Sequence, residues 1–147
     1  MFPEVRLKRY LEMRGADAGS WRSLCGLPAL WTGLLYADSA LDAADELVRD
    51  WTAEEHAWLR AEVPKTALAT RFRSGTVGDI ARELVAIAKA GLAVRARIDW
   101  DGQDEQRYLN RLEQIAADAR TPAEEKLDRF REAWGGKVDP VFAEFAF

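Results

Sequence analysis

One apolar stripe does most to restrict the folds open to this chain. Val77, Ile80, Ala81, Leu84, Val85, Ala88, Gly91, Leu92 and Val94 recur at helical spacing, while Asp79, Arg82, Glu83 and Lys89 fall on the opposite side. A helix of that length with one continuous apolar face has to lie against other helices. The remaining sequence supplies them. Leu30, Trp31, Leu34 and Leu35 mark a helix over about 28–37, apolar almost all round, in an uncharged stretch interrupted by Gly26, Pro28 and Gly33. Asp38-Ser39 caps a helix carrying Leu41, Ala44, Leu47, Val48 and Trp51. Thr52-Ala53-Glu54-Glu55 has the form of a capping box, opening a helix with Trp58, Leu59 and Val63 that Pro64 stops.

After a loop to about residue 75, Thr76 opens the striped helix. Beyond a turn at 99–102, Tyr108, Leu109, Leu112, Ile115 and Ala116 place a helix over about 104–120. Thr121-Pro122 starts another, with Leu127, Phe130 and Trp134, which Gly135-Gly136 ends. Phe142, Phe145 and Phe147 suit a tail docked on a core. The six tryptophans read as core or inter-helix anchors.

The first 22 residues differ in kind. Alternation turns Lys8, Tyr10, Glu12 and Arg14 to one face of an extended segment and Arg9, Leu11 and Met13 to the other, and Gly15–Ser20 forms a turn. The expected fold is mainly α with one or two N-terminal β-strands. A lone strand has no partner among six helices, and an uncovered edge invites association. Either residues 3–14 self-associate or they belong to a larger sheet.

Composition narrows the chemistry. The 147 residues amount to one domain with a net charge of −4, which argues against a nucleic-acid binder. The charge falls in blocks. Five basic and three acidic residues lie in 1–22, two and eight in 38–63, seven and two in 65–97, and seven and twelve in 98–147. Such blocks suit helices meeting through complementary surfaces. Cys25 has no cysteine partner, and one cysteine with one histidine leaves no soft-metal cluster, so a hard cation on carboxylates is the metal chemistry that remains. No apolar run reaches the length of a membrane span, and the N-terminus lacks an apolar signal region, so a cytoplasmic protein is expected.

Glu12 and Arg14 are the candidate site. A glutamate suits Mg²⁺, and an arginine fork suits a phosphoryl or carboxylate group and the charge that develops during its transfer. Tyr10, on the same face, could stack on or hydrogen-bond a substrate. The plainer reading is a cross-strand salt bridge on a solvated sheet face. His56 reads as a surface histidine, Cys25 as a packed thiol, and Arg71 with Arg73 as a solvated loop pair or an anion contact. No phosphate-binding loop is present: the stretch 15–20 lacks its lysine, and no Ser or Thr follows Gly135-Gly136-Lys137.

The wording of the first segment, Phe2-Pro-Glu-Val-Arg-Leu-Lys-Arg-Tyr-Leu-Glu-Met-Arg-Gly-Ala-Asp17, followed by Trp21-Arg22, Leu24-Cys25, Leu27-Pro28-Ala29, Trp31 and Gly33-Leu34-Leu35-Tyr36, resembles glutamate–cysteine ligase of the plant and α-proteobacterial type. The resemblance continues through Asp50-Trp51-Thr52, Val63-Pro64, Thr121-Pro122-Ala123-Glu124, Trp134-Gly135 and Val138-Asp139-Pro140-Val141-Phe142, and departs at Ala18 and Ser20. It implies ATP- and Mg²⁺-dependent formation of γ-glutamylcysteine from glutamate and cysteine, the first step of glutathione biosynthesis, on a fold similar to the catalytic part of glutamine synthetase. In such an enzyme the γ-carboxylate of glutamate is phosphorylated and the cysteine amine attacks the acyl phosphate. It assigns Glu12 to metal, Arg14 to catalysis and substrate binding, and Tyr10 to substrate binding.

The resemblance further implies that residues 1–147 form a single unit, the C-terminal portion of an α+β glutamine synthetase-like enzyme. Residues 1–22 would be the active-site strand and turn, and 23–147 the helical region. One glutamate cannot organise a nucleotide and its metals, so the chain is expected to be inactive without the missing N-terminal catalytic portion. The competing readings are a non-catalytic helical interaction module, which could self-associate through the strand, and a truncated gene product.

Overall fold

A computed structural model describes residues 4–16 and 19–145. Parts of the first segment and of its turn, Phe2, Pro3, Asp17 and Ala18, and the terminal Ala146 and Phe147 lie outside the described residues.

The N-terminal segment forms two strands, β1 (Val5–Leu7) and β2 (Leu11–Met13), joined through Lys8-Arg9-Tyr10. Val5 pairs with Met13, Arg6 with Glu12 and Leu7 with Leu11, in antiparallel register. The expected lone strand is thus a hairpin, and alternation cannot be counted through its turn. Helices α1 (Trp21–Leu35), α2 (Asp38–Val48) and α3 (Ala53–Thr66) follow. A two-residue hairpin, β3 (Arg71–Phe72) with β4 (Gly75–Thr76), stands where a loop was expected and leads into α4 (Val77–Arg95). A 3-10 turn over Glu105–Leu109, then α5 (Asn110–Asp118), α6 (Pro122–Arg131) and α7 (Pro140–Glu144) complete the chain.

The striped helix, α4, is the centre. Leu34 of α1, Ala88 and Leu92 of α4 and Leu109 form the buried cluster, with Leu30, Trp31, Ala44, Leu84, Ile87 and Leu112 packed around it. The α1–α4 crossing is close because two glycines face each other's helix. A β-carbon on Gly33 would stand 2.2 Å from the Ala88 carbonyl oxygen, and one on Gly91 would stand 1.9 Å from the Gly33 carbonyl oxygen. Gly33 is therefore a packing site and not an interruption of the helix.

Two prolines also behave differently from expectation. Helix α1 begins at Trp21 and contains Pro28, and α3 runs through Pro64 to Thr66. Proline has no N–H to continue the ladder, so each helix runs past its proline with one backbone hydrogen bond missing. Of the expected caps, Asp38-Ser39 is not formed: α2 is entered at Ala37 with no side-chain cap, and Asp38 already lies in the first turn. Thr52 with Glu55, Thr76 with Asp79 and Thr121 with Glu124 all make reciprocal capping boxes, and Pro122 sits in the first turn of α6.

Oppositely charged blocks meet as expected. Arg73 donates to both carboxylate oxygens of Asp50, to its carbonyl and to both oxygens of Glu55, tying β3–β4 to the start of α3. Lys89 contacts Glu113 at 2.6 Å and Arg95 contacts Glu105 at 2.9 Å. Arg73 is thus a clamp and not an anion contact. Phe72 tilts against Trp51 with ring centres 4.8 Å apart, and the Trp58 indole donates to the Arg71 carbonyl. Trp134 is buried, donates to Glu144 at 2.8 Å and meets Phe145 edge-on, which docks α7. Trp21, Trp58, Trp100 and Phe142 are exposed, so the anchoring role expected of all six tryptophans and of the whole tail holds only in part. No helix among the described residues is long and apolar enough to cross a membrane.

Candidate functional site

The β1–β2 hairpin brings Glu12 and Arg14 together and adds a residue that the single-strand reading missed. Arg6 lies directly across from Glu12. Its Nη2 donates to Glu12 Oε1 at 3.0 Å, and its Nε stands 2.7 Å from Oε2. Lys8 Nζ approaches Oε1 to 3.3 Å, and Arg14 Nε approaches Oε2 to 3.5 Å. The hydrogen bond from Arg6 is the largest cause holding the Glu12 carboxyl below the ordinary carboxylate range; burial opposes it and Lys8 adds to it. Tyr10 is exposed in the connecting turn, with Lys8 Nζ 5.7 Å from its ring centre.

The opposite face of the hairpin is apolar and open. Leu7 and Leu11, paired across the strands, are 80% and 57% exposed, and Val5 is exposed beside them. Glu4 forms an exposed ion pair with Arg60 of α3. An apolar two-stranded face left in water is unusual for a finished sheet.

Whether Glu12 suits a metal ion can be judged from its own oxygens. Oε2 is buried and accepts no directed hydrogen bond, although it has the ion-pair contacts with Arg6 and Arg14. A hard cation suits a carboxylate oxygen, but here it would take Oε2 only by displacing the Arg6 or Arg14 guanidinium. No cluster of three or more metal-ligating side chains exists among the described residues, so Glu12 would be one ligand of several.

Other sequence candidates fall away from this face. His56 is exposed and tilts against Trp51 at 5.7 Å. Cys25 is half-buried and lines two open grooves of about 420 and 320 Å³ between α1 and the Glu105–Leu109 turn. Tyr108 lines both, and neither contains Glu12 or Arg14.

Comparison with known proteins bears on the hairpin directly. Residues 1–144 match Glutamate-cysteine ligase family 2 (GCS2), so the whole hairpin and nearly all of the helical body fall inside the match. The chain belongs to this ligase family. It is 48% identical over 147 residues to glutamate–cysteine ligase, chloroplastic, of Arabidopsis thaliana. It is 46% identical to the chloroplastic enzyme of Solanum lycopersicum and to glutamate–cysteine ligase A, chloroplastic, of Oryza sativa subsp. indica. All of the chain is covered in each case, against 27%, 27% and 29% of those relatives. The chain thus spans a little over a quarter of the length of the relatives it matches.

The cytoplasmic placement expected from composition is overturned, because these ligases are chloroplastic. The physical reason is simple. A compartment is reached through an address read by receptors, and net charge and cysteine count report none.

Proposed function

We propose that this chain is the C-terminal portion of a glutamate–cysteine ligase and that its β1–β2 hairpin contributes Glu12, Arg14 and Tyr10 to the reaction centre. The family match across residues 1–144 carries the reading, supported by a hairpin whose apolar face is left open. In it, residues 1–22 are the active-site segment, and 23–147 are the helical region of one unit. The mainly helical body with N-terminal strands suits the helical side of a glutamine synthetase-like fold. The sheet beneath the hairpin would come from the rest of the enzyme.

The reaction would join glutamate to cysteine at the expense of ATP. A γ-carboxylate oxygen of glutamate takes the terminal phosphoryl group, releasing ADP. The cysteine amine then attacks the carbonyl of that acyl phosphate, and inorganic phosphate leaves as the amide forms. Arg14 would hold the phosphoryl oxygens through its planar donors while negative charge shifts between them. Tyr10, at the hairpin's tip, would lie against the substrate. Mg²⁺, with Glu12 among its ligands, would neutralise phosphate oxygens in the complete enzyme.

The test joins this chain to the remaining portion of a plant relative and follows ATP-dependent γ-glutamylcysteine. Product from the joined protein and none from either part supports the reading. A joined, folded protein that makes no product refutes it. Self-association of the isolated chain through Leu7 and Leu11, seen by light scattering and lost in the joined protein, would agree with an open hairpin that the enzyme normally covers.

A further inference from the structure

We propose that Arg6 is a second anion-binding guanidinium of this site, held in place by Glu12 and presenting its remaining N–H groups to a phosphoryl or carboxylate oxyanion. The ligase reading supplies only the identity of that oxyanion; the binding itself rests on the hairpin.

The register sets the geometry. Arg6 and Glu12 are direct cross-strand partners, so the guanidinium and the carboxylate share the hairpin's polar face with no freedom to drift along the strands. Arginine carries five N–H donors in a rigid plane. Arg6 donates one Nη2 hydrogen to Glu12 Oε1 and keeps Nε in ion-pair contact with Oε2. It makes no other hydrogen bond or ion pair among the described residues, and its side chain is 44% exposed. The Nη1 edge and the second Nη2 hydrogen therefore form an open fork whose direction Glu12 fixes. Preorganised donors of this kind lose little freedom when an oxyanion arrives.

Charge favours the same ligand. Glu12 neutralises one positive charge, yet both Arg6 and Lys8 lie within 3.3 Å of its carboxylate oxygens. Between these two cations and the one carboxylate, a positive charge is left over. Glu12 is then a positioning residue for Arg6 as well as a candidate metal ligand.

The experiment titrates the full 147-residue chain with inorganic tripolyphosphate and follows the arginine Nε–Hε signals by NMR. The inference expects saturable displacement of the Arg6 signal and at least about a fivefold weaker affinity in Arg6→Gln. Arg6→Lys should fall between the two, because a point charge replaces the fork. Lys137→Gln, which removes a charge far along the sequence, should bind as the unaltered chain does. Amide shifts of Leu7 and Leu11 report whether each variant keeps the hairpin; where Arg6→Gln does not, Arg6→Lys decides. Arg6→Gln binding within about twofold of the unaltered chain overturns the inference, as does Arg6→Lys binding equally well or Lys137→Gln losing as much. Failure of the ligase reading looks different. The joined enzyme would then make no γ-glutamylcysteine while tripolyphosphate still displaced Arg6.

Discussion

Replacing Gly33 by alanine adds one methyl group at the α1–α4 crossing. Its β-carbon would lie 2.2, 2.8 and 2.9 Å from the carbonyl oxygen, carbonyl carbon and α-carbon of Ala88. All three are backbone atoms inside a helix, so no side-chain rotation relieves the contact. Restoring ordinary van der Waals separation requires the helices to part by about 1 Å. That movement would loosen Leu34, Ala88, Leu92 and Leu109, the buried cluster between them. Overpacking of this kind costs roughly 1–3 kcal/mol, whereas Gly→Ala in an unconstrained helix gains about 1 kcal/mol. Because the obstacle is backbone, the steric cost takes the upper end, and we expect a net loss of about 2 kcal/mol. For a chain of this size that lowers Tm by roughly 4–8 °C. Urea unfolding followed by circular dichroism, with thermal melts alongside, measures it. An unchanged m-value would show that the native state stays compact. A Gly33→Ala protein as stable as the unaltered chain, or more so, would refute the close crossing and the packing argument built on it.

Two further outcomes follow from particular contacts. Leu109 is fully buried, and Leu109→Ala should destabilise the chain by about 2–5 kcal/mol in the same urea assay; a loss under about 1 kcal/mol would place the residue outside the core. Glu55 is held at a pKa of about 2, first by hydrogen bonds from Arg73 and then by the Thr52 amide, against a usual value of 4.5. A depressed carboxylate stabilises the folded state above its unfolded pKa and loses that contribution as pH falls through its folded one. The unaltered chain should therefore exceed Glu55→Gln in urea midpoint above about pH 4.5, with the gap closing toward pH 2. A gap that stays constant over that range would mean that the Arg73–Glu55 pair does not form.

Much of this architecture is written in local signals. The α4 stripe, the Thr52–Glu55 capping box and the helix starts at Thr76 and Thr121 need only neighbouring residues, and all are found where their spacing puts them. The features that the sequence hides depend on distant partners. Gly33 looks like an interruption until Gly91 and Ala88 are known to face it. Pro64 looks like a stop, yet α3 runs on to Thr66, whose hydroxyl donates to the Glu62 carbonyl. Arg73 looks solvated until Asp50 and Glu55 close on it across the chain.

The candidate site shows the same division. Glu12 and Arg14 are legible from their spacing and from the family wording around them. Arg6 is not, because an unbroken alternation runs straight through Lys8-Arg9-Tyr10. Reading those three as a turn would have paired Arg6 with Glu12. The available signal was a short apolar–charged–apolar triplet, Val5-Arg6-Leu7, mirrored by Leu11-Glu12-Met13.

The claim that the hairpin faces the reaction centre is tested most directly by Arg14→Ala in the ligase reconstituted with the remaining portion of the enzyme. If Arg14 holds the phosphoryl oxygens, the rate of γ-glutamylcysteine formation should fall at least about 100-fold while the assembled protein keeps its melting temperature. A variant that turns over within about twofold of the unaltered enzyme would contradict the account and leave Arg14 as a partner of Glu12 in a surface salt bridge.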